Sequence, residues 1–384
     1  MKELPVISWI ESGKPLSAPW RSESGVLPPG RVVIADDGLS ADAAYRLARA
    51  GTAMLWRGDF NNARQLLQAV SRRLERTPRR AARKSATMIP SLTDAFHLHR
   101  QNQAQRARVL GMLLVPLDSN YRVPLMRAPD VQEACFEAYG PGDKAFVMSL
   151  RELLGLIGAH EWRKKGVPIP ALGDRVHPYY GVFSPIRGEY VALVAEAPLP
   201  SLRLAFDIGT GTGVLAAVLA RRGVVRIIAT DQDARALLCA RENIARLGMS
   251  GQVDVVCADL FPEGRAPLIV CNPPWVPAQP SSSLEHAVYD PESRMLLGFI
   301  NGLTAHLEPG GEGWLILSDI AERLGLRTRD EVLKAINLAG LKVAGRLDVR
   351  PHHPKTRDGT DPLHAARASE ITSLWRLTAR GVQV

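Results

Sequence analysis

An α/β fold is predicted for the second half of this 384-residue chain: a parallel sheet covered by helices on both faces. Three observations carry the prediction. Short apolar runs lack the polar alternation of half-exposed strands, helical patterns separate them, and the two alternate regularly from residue 202 onward. Runs of continuous hydrophobicity suit strands buried on both faces.

Taken in order, "GRVVIADD", "LSADAAYRLARAG", "TAMLWRGD" and "NNARQLLQAVSRRL" read as strand, helix, strand, helix, an additional N-terminal α/β or α+β domain. Residues 93–110 read as a helix, and "GMLLVPLDSNYRVPLMRAP" as a hairpin around Asp118-Ser119-Asn120. The Pro-rich "KKGVPIPALGDRVHPYYG" (164–181) is the best linker candidate. It divides the chain into domains of residues 1–175 and 176–384.

Beyond the linker come the runs "LRLAFDIG" (202–209), "VRIIATD" (225–231), "VDVVCAD" (253–259), "PLIVCNPP" (267–274) and "GWLILSD" (313–319). Helices are expected at 213–222, 234–248, roughly 293–307 ending in "EPGG", and 328–338. The runs "LKVAGRLDV" and "EITSLWRLTA" (370–379) are expected to close the sheet as a pair, which brings it to seven strands. The polar stretch 350–369 between them, with His352 and His353, is a candidate lid.

A composition of 46% hydrophobic and 23% charged residues is ordinary for a globular protein. No apolar run approaches the roughly 20 residues that cross a bilayer, and the prolines and acids near the start interrupt any signal-peptide core. A cytoplasmic location without membrane attachment is the expectation. Cys135, Cys239, Cys257 and Cys271 have no metal-binding spacing, so neither zinc nor disulfides are expected. Residues 1–175 hold the entire net charge of +9, much of it in Arg64, Arg72, Arg73, Arg76, Arg79, Arg80, Arg83 and Lys84. That run reads either as a footprint for phosphates or a ribosomal surface, or as a solvated helix face.

At "FDIGTGTG" (206–213) a strand ends in glycines 209, 211 and 213, which let the backbone approach a ligand at the carboxyl edge of the sheet. Asp231, at the end of the next strand, is placed to accept hydrogen bonds from ribose hydroxyls, and Asp259 to meet an adenine amino group. Val214 stands where a dinucleotide fingerprint needs its third glycine, and Asp207 before the turn disfavours a pyrophosphate. A ligand with an amine, a ribose and an adenine but no phosphate fits better: S-adenosyl-L-methionine.

"DIGTGTGVLAAVLA", "ATDQDARALLCARENIARLG", "DVVCADLF" and "LIVCNPPWVP", in that order, resemble class I S-adenosylmethionine-dependent methyltransferases with a Rossmann-like seven-stranded sheet. The branch most similar is the HemK-like one, the protein-glutamine N5-methyltransferases. RNA guanine-N2 and adenine-N6 methyltransferases of the small-domain type are similar as well. The resemblance covers about residues 180–319. It implies cofactor binding by Asp207, Gly209, Thr210, Gly211, Gly213, Asp231, Gln232, Asp259, Leu260 and Asn272, and catalysis by Asn272, Pro273, Pro274 and Trp275. Trp275 departs from the family's usual Tyr, and "AVYDPESRMLLGF" (287–299) lacks the glycine-rich sequence of release-factor enzymes. The first 175 residues are longer than the short helical domain of that branch.

Methylating an amide or exocyclic amine requires its N–H bonds to point at acceptors while its lone pair faces the methyl group. The Asn272 side-chain oxygen and the Pro273 carbonyl are the candidate acceptors, and two prolines stiffen the segment. Trp275 offers a flat wall for a base or planar amide. The expectation is an N-methyltransferase acting on a ribosome-associated protein or RNA. Methylation of a metabolite, and an inactive RNA- or ribosome-binding protein on the same fold, are the alternatives.

Overall fold

The computed structural model describes residues 4–82, 91–280, 285, 288–351 and 361–380, with backbone alone over 76–82. The chain divides into two compact units: Met1–Ser91 with His97–Glu161, and Leu92–Phe96 with Trp162–Val384.

In the first unit, the strands are β1 (Val6–Glu11), β2 (Lys14–Arg21), β3 (Arg31–Ala35), β4 (Thr52–Trp56), β5 (Leu113–Leu117) and β6 (Phe146–Ser149). Its helices are α1 (Ala41–Arg49), α2 (Phe60–Ala82), most of α3 (Leu92–Leu110), α4 (Gln132–Tyr139) and most of α5 (Leu150–Lys165). The sheet runs β1-β2-β6-β5-β4-β3 with mixed directions, so this half is α/β as expected. Ile7, Trp20, Leu55, Leu114 and Val147 form one face of its core.

Two features of this unit escaped the sequence reading. The β1–β2 hairpin turns through Ser12 (φ 52°) and Gly13 (φ 76°), the left-handed pair a two-residue hairpin requires. Pro15 and Pro19 obscured it, yet β2 pairs with β6 only at Trp20 and Arg21, so neither proline denies that neighbour a donor. Conversely, no hairpin forms around Asp118. Its carboxylate accepts the backbone N–H of Asn120 and Arg122 and turns the chain (2.9 and 2.8 Å). No returning strand follows, because both edges of β5 are taken by β4 and β6.

The second unit begins with a small antiparallel pair, β7 (Val167–Ile169) and β8 (Asp174–Val176). Val167, Ile169, Leu172 and Val176 are buried, so much of the expected linker is packed core whose apolar positions alternate with prolines. The main elements follow: α6 (Glu189–Glu196), β9 (Leu204–Ile208), α7 (Val214–Arg221), β10 (Arg226–Asp231), α8 (Ala234–Arg246), β11 (Val253–Cys257) and β12 (Ala266–Cys271). After these come α9 (Arg294–His306), β13 (Leu307–Ser318), α10 (Ile320–Arg323), α11 (Arg329–Leu338), β14 (Leu341–Val349), α12 (His364–Ala368) and β15 (Thr372–Ala379). The seven-stranded sheet has the order β11-β10-β9-β12-β13-β15-β14, in which β15 alone runs antiparallel, inserted between β13 and the edge strand β14.

Alternation along the strands explains the continuous apolar runs. Ala205, Leu268, Val270 and Ile316 join α6 and α7 in one layer, while Phe206, Ile208, Ile269, Cys271 and Leu315 join α9 and α11 in the other. Among the described residues, no helix is long and apolar enough to cross a membrane.

Candidate functional site

Register positions the site. Ile208 of β9 pairs with Thr230 of β10 on one side and with Cys271 of β12 on the other. The residues that follow, Gly209, Asp231 and Asn272, therefore leave the sheet side by side at its carboxyl edge, where open α/β sheets bind ligands.

The glycine turn is held by hydrogen bonds to two acids. Asp207 is buried; its Oδ2 accepts from Thr210 Oγ1 (2.6 Å) and from the Ala216 N–H (3.1 Å), while Oδ1 has no partner. Burial pushes its carboxyl up to about 6 against those two bonds, with the Asp231 charge adding to the rise. Thr210 donates its own N–H to Thr230 O at 2.8 Å. Gly211 has φ +55° with nothing within 4 Å of where a Cβ would stand, so it presents bare backbone to open space. Gly213 serves differently: at φ +80° it caps α7, and a Cβ there would stand 3.3 Å from Ala240 Cα of α8. The Met295 methyl lies over Gly209, 2.3 Å from where a Cβ would stand, and Gly209 is itself at φ +70°, which disfavours a side chain.

Asp231 accepts the Gly211 N–H on Oδ2 and the Asp233 N–H on Oδ1, both at 3.0 Å. Burial raises its pKa in opposition to those bonds. Each carboxylate oxygen keeps a lone pair, and Gln232 beside it is exposed. Asp259 is exposed beyond the end of β11 and pairs with Arg294 at 2.9 Å. Leu260 sits at φ +72°, its carbonyl accepting from Thr230 Oγ1 at 2.6 Å.

Beyond the end of β12, the tetrapeptide is half-buried apart from the buried Pro273. Trp275 Nε1 donates to Asn272 Oδ1 at 3.0 Å. An indole N–H only donates, so this bond fixes which end of the Asn272 amide is oxygen and leaves that oxygen one further lone pair. Trp275 also packs against both core layers and against a cluster of Phe96, Val276, Ile320, Leu324, Leu363 and Ala366. Val276 pairs with Tyr289, and the Asp290 N–H donates to Val276 O at 2.9 Å, so this part of "AVYDPESRMLLGF" returns to the tetrapeptide. His352 and His353 of the candidate lid lie outside the described residues.

Arg327, Asp290, Ser293 and Met295 were not singled out from the sequence. Arg327 donates to Trp275 O (3.2 Å) and Ser293 Oγ (3.3 Å); buried Asp290 accepts the Met295 and Leu296 N–H groups (3.0 and 3.1 Å). No local pattern marks Arg327, since its partner Trp275 is 52 positions away.

Residues 177–323 match the family model of the methyltransferase small domain. Within the matched residues lie the glycine turn, Asp231 and the Asn-Pro-Pro-Trp tetrapeptide. A release factor glutamine methyltransferase from Cereibacter sphaeroides is 33% identical over 179 residues, 43% of this chain and 63% of that protein. The ribosomal protein L11 methyltransferase of Pelotomaculum thermopropionicum is 36% identical over 37% of this chain and 39% of its own length. The tRNA1(Val) (adenine(37)-N6)-methyltransferase of Bacteroides fragilis is 40% identical over 22% and 38%. The chain thus spans less than two thirds of these relatives. Among solved structures, a methyltransferase from Pyrococcus furiosus aligns at 18% identity with a TM-score of 0.38, covering 60% of this chain and 99% of that one. A methyltransferase from Thiobacillus denitrificans in complex with S-adenosyl-L-homocysteine aligns at 17% identity and TM-score 0.35, covering 52% and 92%.

The residues present fit S-adenosyl-L-methionine. Asp207 Oδ1 is an unpaired acceptor suited to an amine, Gly211 offers open backbone, and Asp231 retains lone pairs for a ribose.

Proposed function

We propose that the chain is an S-adenosyl-L-methionine-dependent N-methyltransferase acting on a planar nitrogen, the amide of a protein glutamine or the exocyclic amine of an RNA base. The observation that carries this reading is the alignment of Gly209, Asp231 and Asn272 at one edge of the sheet, which sets the cofactor residues beside the candidate acceptor of the substrate's N–H. Asp207, the glycine turn and Asp231 hold the cofactor, with Gln232, Asp259 and Leu260 flanking it. When bound, it supplies an electrophilic methyl group.

Positioning is the protein's contribution. The free lone pair of Asn272 Oδ1 and the Pro273 carbonyl accept the two N–H bonds of the substrate nitrogen, which turns its own lone pair away from them. Pro273 and Pro274 fix two backbone φ angles, so those acceptors are held in advance. Near-attack geometry of this kind is worth roughly 7–11 kcal/mol of a barrier. No strong general base is required, since the nitrogen releases its proton after the bond forms.

We further propose that residues 176–384 are catalytic and that residues 1–175 recognise a macromolecule in the cytoplasm. The relatives' names, a release factor, a ribosomal protein and a tRNA, support that class of substrate. In the first unit, Arg64 and Arg127 line a hollow of about 410 Å³ with Asn61, Asn62, Gln65 and Gln68. These guanidinium and carboxamide groups suit phosphates and base edges. Arg127 is paired with Asp59 at 2.5 Å, and Arg73 with Asp42 of α1. Arg83 and Lys84 lie outside the described residues, as do the side chains of Arg76, Arg79 and Arg80.

The test is transfer of labelled methyl from S-adenosyl-L-methionine into a total-cell lysate, followed by protease or nuclease. Label lost to one treatment identifies the substrate class. Asn272→Ala is expected to keep the fold and donor affinity while single-turnover transfer falls by orders of magnitude. A rate within threefold of wild type would mean that Asn272 does not orient the substrate.

A further inference from the structure

Among the described residues, no carboxylate is in ion-pair contact with the buried cation Arg327. Its Nε is buried without a partner, Nη1 meets Ser293 Oγ, and Nη2 meets the Trp275 carbonyl. Glu322, Asp290 and Glu331 contribute charge from a distance, and burial still lowers its pKa. Such a group is costly to bury, and a well-packed apolar residue in its place is often neutral or stabilising for the fold. Its position gives it something to do beyond packing. One bond away, the Trp275 indole donates to Asn272 Oδ1. Ser293, at the other end of the guanidinium, has φ +55° and follows Glu292 at φ +57°, a left-handed pair of the kind that persists only where surroundings enforce it.

We propose that Arg327 is a positioning residue of the acceptor site. Its fork joins the Trp275 carbonyl to Ser293 and, through the Trp275 indole, fixes the orientation of the Asn272 oxygen. The proposal rests on the methyl-transfer reading above. It makes Trp275 more than a flat wall: the indole N–H selects the Asn272 rotamer that leaves one lone pair for substrate, which phenylalanine cannot do.

The full-length chain with Arg327→Met tests this, alongside wild type and Trp275→Phe. Four quantities are measured: thermal midpoint, S-adenosyl-L-homocysteine affinity by calorimetry, single-turnover methyl transfer to cell lysate, and the indole ¹⁵N–¹H resonance of Trp275, assigned by its loss in Trp275→Phe. For Arg327→Met the expected result is a midpoint no lower than wild type, affinity within twofold, transfer at least tenfold slower, and a displaced Trp275 resonance. Trp275→Phe is expected to slow transfer similarly at unchanged half-saturating lysate. Transfer within threefold of wild type, an unmoved resonance, or a rate that falls only together with midpoint and affinity overturns the proposal. Should Arg327→Met not fold, Arg327→Lys decides by the same criteria, since it keeps the charge and loses the two-point fork. A wild type that binds S-adenosyl-L-homocysteine but labels nothing in the lysate removes the methyl-transfer reading instead, while the resonance still reports whether Arg327 governs Trp275.

Discussion

Asp207 places a carboxyl where the fold must tolerate it and a ligand can use it. Its pKa of about 6 in the folded chain stands above the ordinary 3.8. The folded state therefore holds a proton that the unfolded state has lost between roughly pH 4 and 6, and stability falls as pH rises through that window, by up to about 3 kcal/mol. Asp207→Asn keeps an oxygen for Thr210 and Ala216 while removing the titration. Denaturant unfolding of this variant is expected to show a shallower decline between pH 4.5 and 7, and an unchanged slope would assign the pH dependence to other groups. Calorimetry should also show S-adenosyl-L-homocysteine binding weaker by about 1.5–3 kcal/mol, the range for hydrogen bonds to a charged group.

Between elements, the glycine turn divides its labour. Gly213→Ala forces a Cβ against the backbone of α8 in a left-handed conformation, and is expected to cost about 1–3 kcal/mol of stability with donor affinity lost only in proportion. Gly211→Ala meets open space, so it should fold with a smaller loss yet bind S-adenosyl-L-homocysteine at least tenfold more weakly. If Gly211→Ala binds normally, that backbone faces no ligand. On α2, neutralising Arg64 and Arg72 should flatten the salt dependence of RNA binding, and identical slopes would return the run to a solvated face. The same elements show what the sequence displayed. Strands β9, β10, β12 and β13 were legible because burial leaves an apolar run, whereas β11, an edge strand with Asp254, Val256 and Cys257 exposed, was legible from its valines alone. Helix α11 announces itself through the capping box of Thr328 and Glu331. Asp207, Asp231 and Asn272 stand at strand ends, where position implies a role. Arg327 and Asp290 do not, because their meaning comes from partners brought near only by packing. The β7–β8 pair was misread because proline content outweighed the alternation of Val167 and Ile169.

Across the whole molecule, charge and structure divide along similar lines, since the excess of basic residues lies entirely in residues 1–175 and the candidate cofactor residues all lie in the second unit. A ligand that binds only the folded form stabilises what it touches by about 2.7 kcal/mol at a hundredfold excess over its Kd. If donor binding belongs to the second unit alone, S-adenosyl-L-homocysteine at that excess should slow hydrogen exchange of amides in β9, β10 and β12 by the corresponding factor of about one hundred. Amides of β4 and β5, equally buried in the first unit, should exchange at their unliganded rates. Mass spectrometry of peptides from the intact chain reads both sets in one experiment. Equal protection of β4 and β5 would show that the chain opens as a single cooperative body, and the assignment of cofactor binding to an independent second half would fall.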